Sequence, residues 1–238
     1  MFPAKNKMSG KRLDRMQKKN PSAPEIELLT NEKILWGEGF SFVAGVDEAG
    51  RGCMAGPVVA AAVIFTDPEK IPSGIRDSKM LNPAKRMEIR KELLAEESIL
   101  WGIGVVSAEE IDKSDILRAT WESMRQALLA LKKLPEIALI DGNPVKGLPC
   151  PSRAIVKGDR LSASIGAASI LAKTHRDLLM EKMAETYPGY GFEIHKGYCT
   201  KAHYEALAEL GPSPIHRMTF APVREFLASR QWEQGELF

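Results

Sequence analysis

Val43-Ala44-Gly45-Val46-Asp47-Glu48-Ala49-Gly50-Arg51-Gly52 joins an apolar strand to a glycine-rich loop through two adjacent carboxylates. Carboxylates are hard oxygen ligands for magnesium or manganese, and bare glycines let backbone N–H groups approach a phosphate or a sugar closely. Neighbouring side chains on a regular strand point to opposite faces. Asp47 and Glu48 therefore serve one site only if the strand ends or bends at Glu48, and Gly50 and Gly52 supply the bend.

Two other readings compete with a metal site. Gly50, Gly52 and Gly56 loosely match a dinucleotide-binding loop, which requires a helix directly after the glycines. The chain instead continues as Pro57-Val58-Val59-Ala60-Ala61-Ala62-Val63-Ile64-Phe65, a β-branched run that reads as a buried strand. Two carboxylates ahead of the loop would also repel a pyrophosphate. The remaining reading is a solvated turn with incidental acids.

The 238 residues, 44% of them hydrophobic, suffice for one full core with length left for extensions. No apolar run reaches membrane-spanning length, and Met1-Phe2-Pro3-Ala4-Lys5 lacks the apolar stretch of a signal peptide, so a cytoplasmic enzyme is expected. Cys53, Cys150 and Cys199 are scattered, which argues against a disulfide framework or structural zinc. The net charge of +2 hides an asymmetry: residues 1–20 carry seven Lys or Arg against Asp14 alone, a net of +6, and the rest of the chain carries −4. Residues 1–38 read as a basic extension, flexible or weakly helical, suited to nonspecific nucleic-acid contact or to solubility. A catalytic domain is expected over 39–230 and a tail over 231–238.

Strands are expected at about 41–47, 57–65 and 100–106, joined as an antiparallel meander. Asn82-Pro83 reads as a helix cap and first turn, opening a helix to about 98. Apolar positions Ile116, Leu117, Trp121, Met124, Leu128 and Leu131 recur at helical spacing between 114 and 133. Ile137-Ala138-Leu139-Ile140-Asp141-Gly142 reads as a buried strand ending in an acid, and Ala154-Ile155-Val156-Lys157 as a fifth strand before a long helix over 162–186. Alternation of strands and helices implies parallel pairing in this half. The pattern is α/β, a mixed five-stranded sheet, antiparallel first and parallel later, flanked by helices, with a further helix near 222–230.

Asp141 stands where Asp47 stands, at the C-terminal end of an apolar strand followed by glycine, where sites gather in open α/β sheets. Asp159 lies just past the next strand. Four acids in one cleft repel one another, and divalent cations are the simplest relief. Two cations about 4 Å apart can activate a water and stabilise the leaving oxygen of an in-line displacement at phosphorus. For Asp141 by itself, capping the Gly142-Asn143-Pro144 bend is the competing role.

Asp47-Glu48-Ala49-Gly50-Arg51-Gly52, Asp77-Ser78-Lys79, Ile140-Asp141-Gly142-Asn143, Val156-Lys157-Gly158-Asp159, Ala167-Ala168-Ser169-Ile170-Leu171-Ala172-Lys173 and His195-Lys196-Gly197-Tyr198 occur in the order and spacing of bacterial type 2 ribonuclease H, ribonuclease HII. The resemblance spans about residues 40–228. It implies a ribonuclease H-like fold with C-terminal helices. It also implies cleavage of the RNA strand of RNA–DNA hybrids and of single ribonucleotides embedded in duplex DNA, leaving a 3′-hydroxyl and a 5′-phosphate, with Mg2+ or Mn2+ as cofactor. By the same resemblance Asp47, Glu48 and Asp141 are the core metal ligands and Asp159 the fourth carboxylate. Gly50, Arg51 and Gly52 form the loop that reads the ribose 2′-OH, and Tyr198 stacks at the RNA-to-DNA junction. Cys53 stands where proline is common in the family.

Lys79, Lys173, Arg176 and Lys196 are candidate phosphate contacts, with solvated surface charge as the competing reading. Asp177 reads as an ion-pair or helix-anchoring residue ahead of a metal ligand, Ala163, Gly166, Ala167 and Ala168 as close helix packing, and His203 and His216 as structural residues; His175, His195, His203 and His216 offer no plausible pair for a metal-free two-histidine mechanism. Gln234, Leu237 and Phe238 resemble a Q-x-x-L-F peptide that docks on a sliding clamp, folding back onto the domain being the alternative. A monomer is expected. The functional alternatives are a non-catalytic hybrid-binding module and a nucleotide-dependent oxidoreductase.

Overall fold

The computed structural model describes residues 28–75 and 81–235. Its centre is a five-stranded sheet built from β1 (Val43–Ala49), β2 (Val58–Phe65), β3 (Ile99–Val106), β4 (Ile137–Asp141) and β5 (Ser152–Ile155), in the spatial order β3-β2-β1-β4-β5. β1 and β3 flank β2 in antiparallel pairing, whereas β1–β4 and β4–β5 are parallel. The expected mixed sheet is present.

β2 is buried along its whole length because helices cover both faces. Ala60, Ala62 and Ile64 point, with Ala44, Val46, Ala138 and Ile140, toward Met124, Ala127 and Leu128 of α4 (Ile116–Leu129). Ala61, Val63 and Phe65 point the other way, toward α5 (Ala163–Thr186) and toward Ile89 and Leu93 of α2 (Pro83–Ala95). Two-sided cover is what an uninterrupted Val/Ala/Ile run requires. The caps behave as their residue types dictate: the Asn82 side chain accepts the Lys85 N–H at 2.9 Å, and Ser162 Oγ accepts that of Ile165 at 3.2 Å.

α5 lies unusually close to β1. A Cβ built on Gly45 would stand 2.1 Å from the Ser164 carbonyl carbon and 2.2 Å from the Ile165 nitrogen. Backbone occupies that space, so no rotamer change can relieve the clash.

Several elements depart from expectation. The fifth strand runs over Ser152–Ile155, two residues earlier than read, because Lys157 adopts a left-handed conformation (φ 59°) that turns the chain into the 3₁₀ turn Gly158–Arg160. The packed part of the chain also starts before residue 39. α1 (Thr30–Gly37) seats Leu35 against Val43, Ile137, Leu139 and Ile165. Its buried Glu32 accepts hydrogen bonds from the Ser162 hydroxyl (2.5 Å), the Ser164 hydroxyl (2.6 Å) and the Ser164 N–H (2.9 Å). Of the expected basic extension, residues 1–27 lie outside the described residues.

Three short helices have no counterpart in the sequence reading: α3 (Ala108–Lys113), α6 (Phe192–His195) and α7 (Lys201–Leu210). The last helix, α8 (Ala221–Gly235), continues past 230, where a tail was expected. No helix among the described residues is long and apolar enough to cross a membrane.

Gly45→Ala is expected to lower stability by about 3 kcal/mol, the upper range for overpacking a core, because the clash is with helix backbone. Urea unfolding monitored by circular dichroism checks this, and a loss below about 1 kcal/mol would contradict the close packing of α5 on β1.

Candidate active site

Parallel pairing of β1 with β4 ends at Val46 and Ile140, and the next residues along the two strands are Asp47 and Asp141. The strands part there, so both acids stand at the mouth of a cleft of about 390 Å³. β1 does not stop at Glu48 but remains paired with β2 through Ala49. Glu48 still lines the cleft with Asp47, because it sits at the free end of the strand beside Gly50. The bend falls at Gly50, one of the two glycines read as supplying it, whose φ is +94°.

The electrostatics of the three acids are unfavourable. Burial, then the charges of Glu48 and Asp141, hold the Asp47 carboxyl well above its ordinary range, although the Ser169 hydroxyl and the Glu48 N–H oppose the rise. Burial also raises Glu48, while Arg51 at 3.0 Å pulls it back down. Asp141 is held by the Gly158 N–H at 2.6 Å. Three carboxylates with excess negative charge form a donor set suited to hard divalent cations. Among the described residues, no three His, Cys, Asp or Glu side chains are gathered tightly enough to hold an ion as they stand. Glu48 is drawn toward Arg51, and the three charges have reason to stand apart.

Asp159 stands apart from the three acids that line the cleft. It is 1% exposed, in the turn after β5, and is not part of the cleft wall. Its connection to the site runs through its neighbour Gly158, which holds Asp141.

Two buried arginines shape the glycine loop. Arg217 donates to the carbonyls of Gly50 (2.7 Å), Arg51 (2.9 Å) and Gly56 (3.0 Å). Arg176 donates to those of Lys196 (2.8 Å), Pro57 (2.9 Å) and Ala55 (3.0 Å). Burial lowers Arg217 to about 10, which leaves it charged at neutral pH. A trans peptide sets its N–H opposite its C=O. With the Gly50 and Arg51 carbonyls turned onto Arg217, the N–H groups of Arg51 and Gly52 point away from it. A side chain on Gly50 would meet Arg176 Nε at 2.1 Å. Arg176 was expected to contact phosphate; it is instead fully buried and committed to backbone carbonyls.

Tyr198 lines the same cleft, 40% exposed, and its backbone pairs with Cys53 in an antiparallel bridge. Lys173 lines the cleft as well, bonded to Asp177 at 2.7 Å, with its Nζ 5.3 Å from the Tyr198 ring centre. Lys196 does not reach the cleft. It pairs with Glu181 at 2.7 Å in an adjoining depression beside α2. Lys79 lies outside the described residues. The sequence reading gave no part to Arg86 and Ser169, which also line the cleft, or to Arg217. Only Ser169 carried a signal, through its place in an Ala-Ala-Ser motif on α5.

Because the folded pKa of Asp47 is raised, its contribution to stability is fullest below the ordinary carboxylate range and is lost as pH rises through the raised value. In chelator, Asp47→Asn is therefore expected to unfold at higher temperature than the parent at pH 8, by about 2–4 °C for each kcal/mol relieved. The gap should narrow toward pH 4. Scanning calorimetry across that range checks it, and an unchanged or lower midpoint at pH 8 would contradict it.

The family model for ribonuclease HII matches residues 44–223. Ribonuclease HII of Chlamydia pneumoniae is 48% identical over 214 residues, covering 88% of this chain and 99% of its own. Among solved structures, ribonuclease H2 from Pyrococcus horikoshii OT3 matches with a TM-score of 0.67 at 27% identity, over 80% of this chain and 99% of that one. A chain of the PCNA:RNase HII complex from Archaeoglobus fulgidus matches with a TM-score of 0.65 at 29% identity, over 75% and 95%. With its mixed sheet, its acids at adjoining strand ends and this likeness along most of its length, the chain belongs to the ribonuclease HII family, endonucleases that cut the RNA of RNA–DNA hybrids.

Proposed function

We propose that the chain also cuts 5′ to single ribonucleotides embedded in duplex DNA, by metal-dependent hydrolysis that leaves a 3′-hydroxyl and a 5′-phosphate. The observation that carries the reading is the convergence of Asp47, Glu48 and Asp141 on one cleft beside a loop whose carbonyls are turned inward. Asp47, Glu48 and Asp141 would hold two Mg2+ or Mn2+ ions, with Asp159 as the fourth carboxylate behind Asp141. The chemistry such ions supply when bound is activation of a water and neutralisation of charge on the leaving 3′-oxygen.

The protein's own groups do the selecting. The outward N–H groups of Arg51 and Gly52, at a loop that Gly50 keeps free of side chain, are suited to the ribose 2′-OH, the group that separates RNA from DNA. Tyr198 offers a flat, half-exposed ring for the next deoxyribose. Lys173, beside that ring, is suited to a phosphate, and ionic contacts of this kind position a duplex without reading its sequence. Arg86, on the α2 side of the cleft, extends the positive charge along the strand.

A DNA duplex carrying one ribonucleotide, incubated with and without magnesium, tests the mechanism. Asp47→Asn and Asp141→Asn are expected to lower cleavage at least about 100-fold, as for loss of a group that stabilises transition-state charge. Full cleavage by either variant, or cleavage in excess chelator, would remove the two-metal reading.

The structural relative from Archaeoglobus fulgidus was solved in a complex with PCNA. Its assembly supports docking of this chain on a sliding clamp through Gln234, Leu237 and Phe238, the last two lying outside the described residues. Deleting residues 234–238 is expected to abolish clamp capture in a pull-down while leaving cleavage of a short duplex intact. Undiminished capture would remove the tail from the interface.

A further inference from the structure

Three of the four histidines are buried together behind the cleft. His195 closes α6, His203 lies in the first turn of α7, and His216 lies in the segment between α7 and α8. The rings of His195 and His203 stack with centroids 4.1 Å apart, and Phe192 meets His203 edge-on.

Their hydrogen bonds admit one set of tautomers. The Ser213 backbone N–H can only donate, so His216 Nδ1 accepts it at 2.9 Å and the His216 proton sits on Nε2. That proton points at His203 Nε2, 3.0 Å away, which must accept. The His203 proton is then on Nδ1 and is donated to the Tyr198 carbonyl at 2.9 Å. By the same logic His195 accepts the Gly197 N–H on Nδ1 at 3.1 Å and donates from Nε2 to the Tyr190 carbonyl at 2.7 Å. All three rings are neutral in this arrangement, and burial pushes both His203 and His216 down to about 4, so these two stay so at neutral pH.

A directional chain therefore runs from Ser213 through His216 and His203 to Tyr198. It meets the tyrosine at its backbone, and the Tyr198 N–H is fixed as well, donated to the His195 carbonyl at 2.9 Å. Burying imidazoles costs free energy that an aliphatic cluster would avoid, unless each nitrogen is bonded. What the chain provides in return is a fixed direction for one peptide. We propose that His203 and His216 are positioning residues that set Tyr198 against the RNA-to-DNA junction, and thereby set the preference for a lone ribonucleotide over a continuous hybrid. The inference rests on the proposed place of Tyr198 at that junction. A continuous hybrid presents a ribose at every step, so a displaced tyrosine still finds a productive register. A lone ribonucleotide presents one scissile phosphate and forgives no displacement.

Two replacements of similar size separate the ends of the chain. His203→Asn puts an amide N–H near the place of Nδ1 and keeps the bond to Tyr198. His203→Gln carries its amide toward His216 and abandons the Tyr198 carbonyl. The quantity to measure is the ratio of kcat/KM on a single-ribonucleotide duplex to that on an RNA–DNA hybrid. His203→Gln is expected to lower this ratio about tenfold, the order of one lost hydrogen bond to a positioned group, and His203→Asn to rescue most of it. Adding His203→Gln to Tyr198→Ala should lower the ratio no further. Equal losses on both substrates, or equal ratios for the Gln and Asn variants, would overturn the proposal. If Tyr198→Ala leaves the ratio unchanged, the reading of Tyr198 fails and this inference with it. If Tyr198→Ala lowers the ratio and His203→Gln does not, the inference fails by itself. Nitrogen-15 NMR of the histidine rings in the unaltered protein is independent of how any variant folds. It should find His203 protonated on Nδ1 and His216 on Nε2, and a His203 proton on Nε2 would overturn the chain.

Discussion

Two buried guanidinium groups that bond to carbonyls in place of carboxylates hold the site together. Arg176 comes from α5, Arg217 from the segment ahead of α8, and between them they fasten six backbone carbonyls of the glycine loop, its continuation and the turn before Tyr198. Removing a charge from water costs several kcal/mol, which hydrogen bonds of good geometry offset. Carbonyl dipoles offset that cost without cancelling the charge. Net positive charge therefore remains beneath a loop that faces both acids and, on the proposed function, phosphates. The acids that line the cleft stand on strand ends, whereas the cations around it come from α2, α5, the glycine loop and the segment before α8.

The carboxylates illustrate the opposite economy. Asp47 sits at the end of β1 with its charge disfavoured by burial and by two neighbours. A cation-free protein bears that repulsion as reduced stability, so the same groups that fit a metal oppose folding without one. Gly45, two residues upstream, brings α5 against β1 and so presents Ser169 to Asp47. The position of one side chain thus depends on the absence of another.

How much was legible depends on how local each signal is. The strand carrying Asp47-Glu48, the strand ending in Asp141, the Asn82-Pro83 helix start and the small residues of α5 are short-range patterns, and each is present, with β1 running on to Ala49. Burial of Arg217 has no local signature, because its partners lie more than 160 positions away in the chain. Arg176 misled for the same reason: an arginine near Lys173 on a helix looks solvated until the loop it holds is known. The fifth strand ended early because Lys157 takes a left-handed conformation that usually marks glycine. Asp159, read as the fourth carboxylate, is buried in the 3₁₀ turn that follows that change of direction. Histidines read as structural turned out to be linked to Tyr198 through hydrogen bonds that cross three segments.

The helix α1 has a consequence of a different kind. The stretch that matches the family model begins at residue 44, yet Glu32 supplies an acceptor for both serines at the start of α5, and Leu35 fills a socket made by β1, β4 and Ile165. The family model and the packed fold are thus bounded at different residues. A gene fragment trimmed to the matched stretch would encode every proposed catalytic group while leaving two buried hydroxyls without their acceptor and an apolar hole at the sheet's edge. The smallest stable version of this domain is set by packing, and it is longer than the stretch the family model marks out.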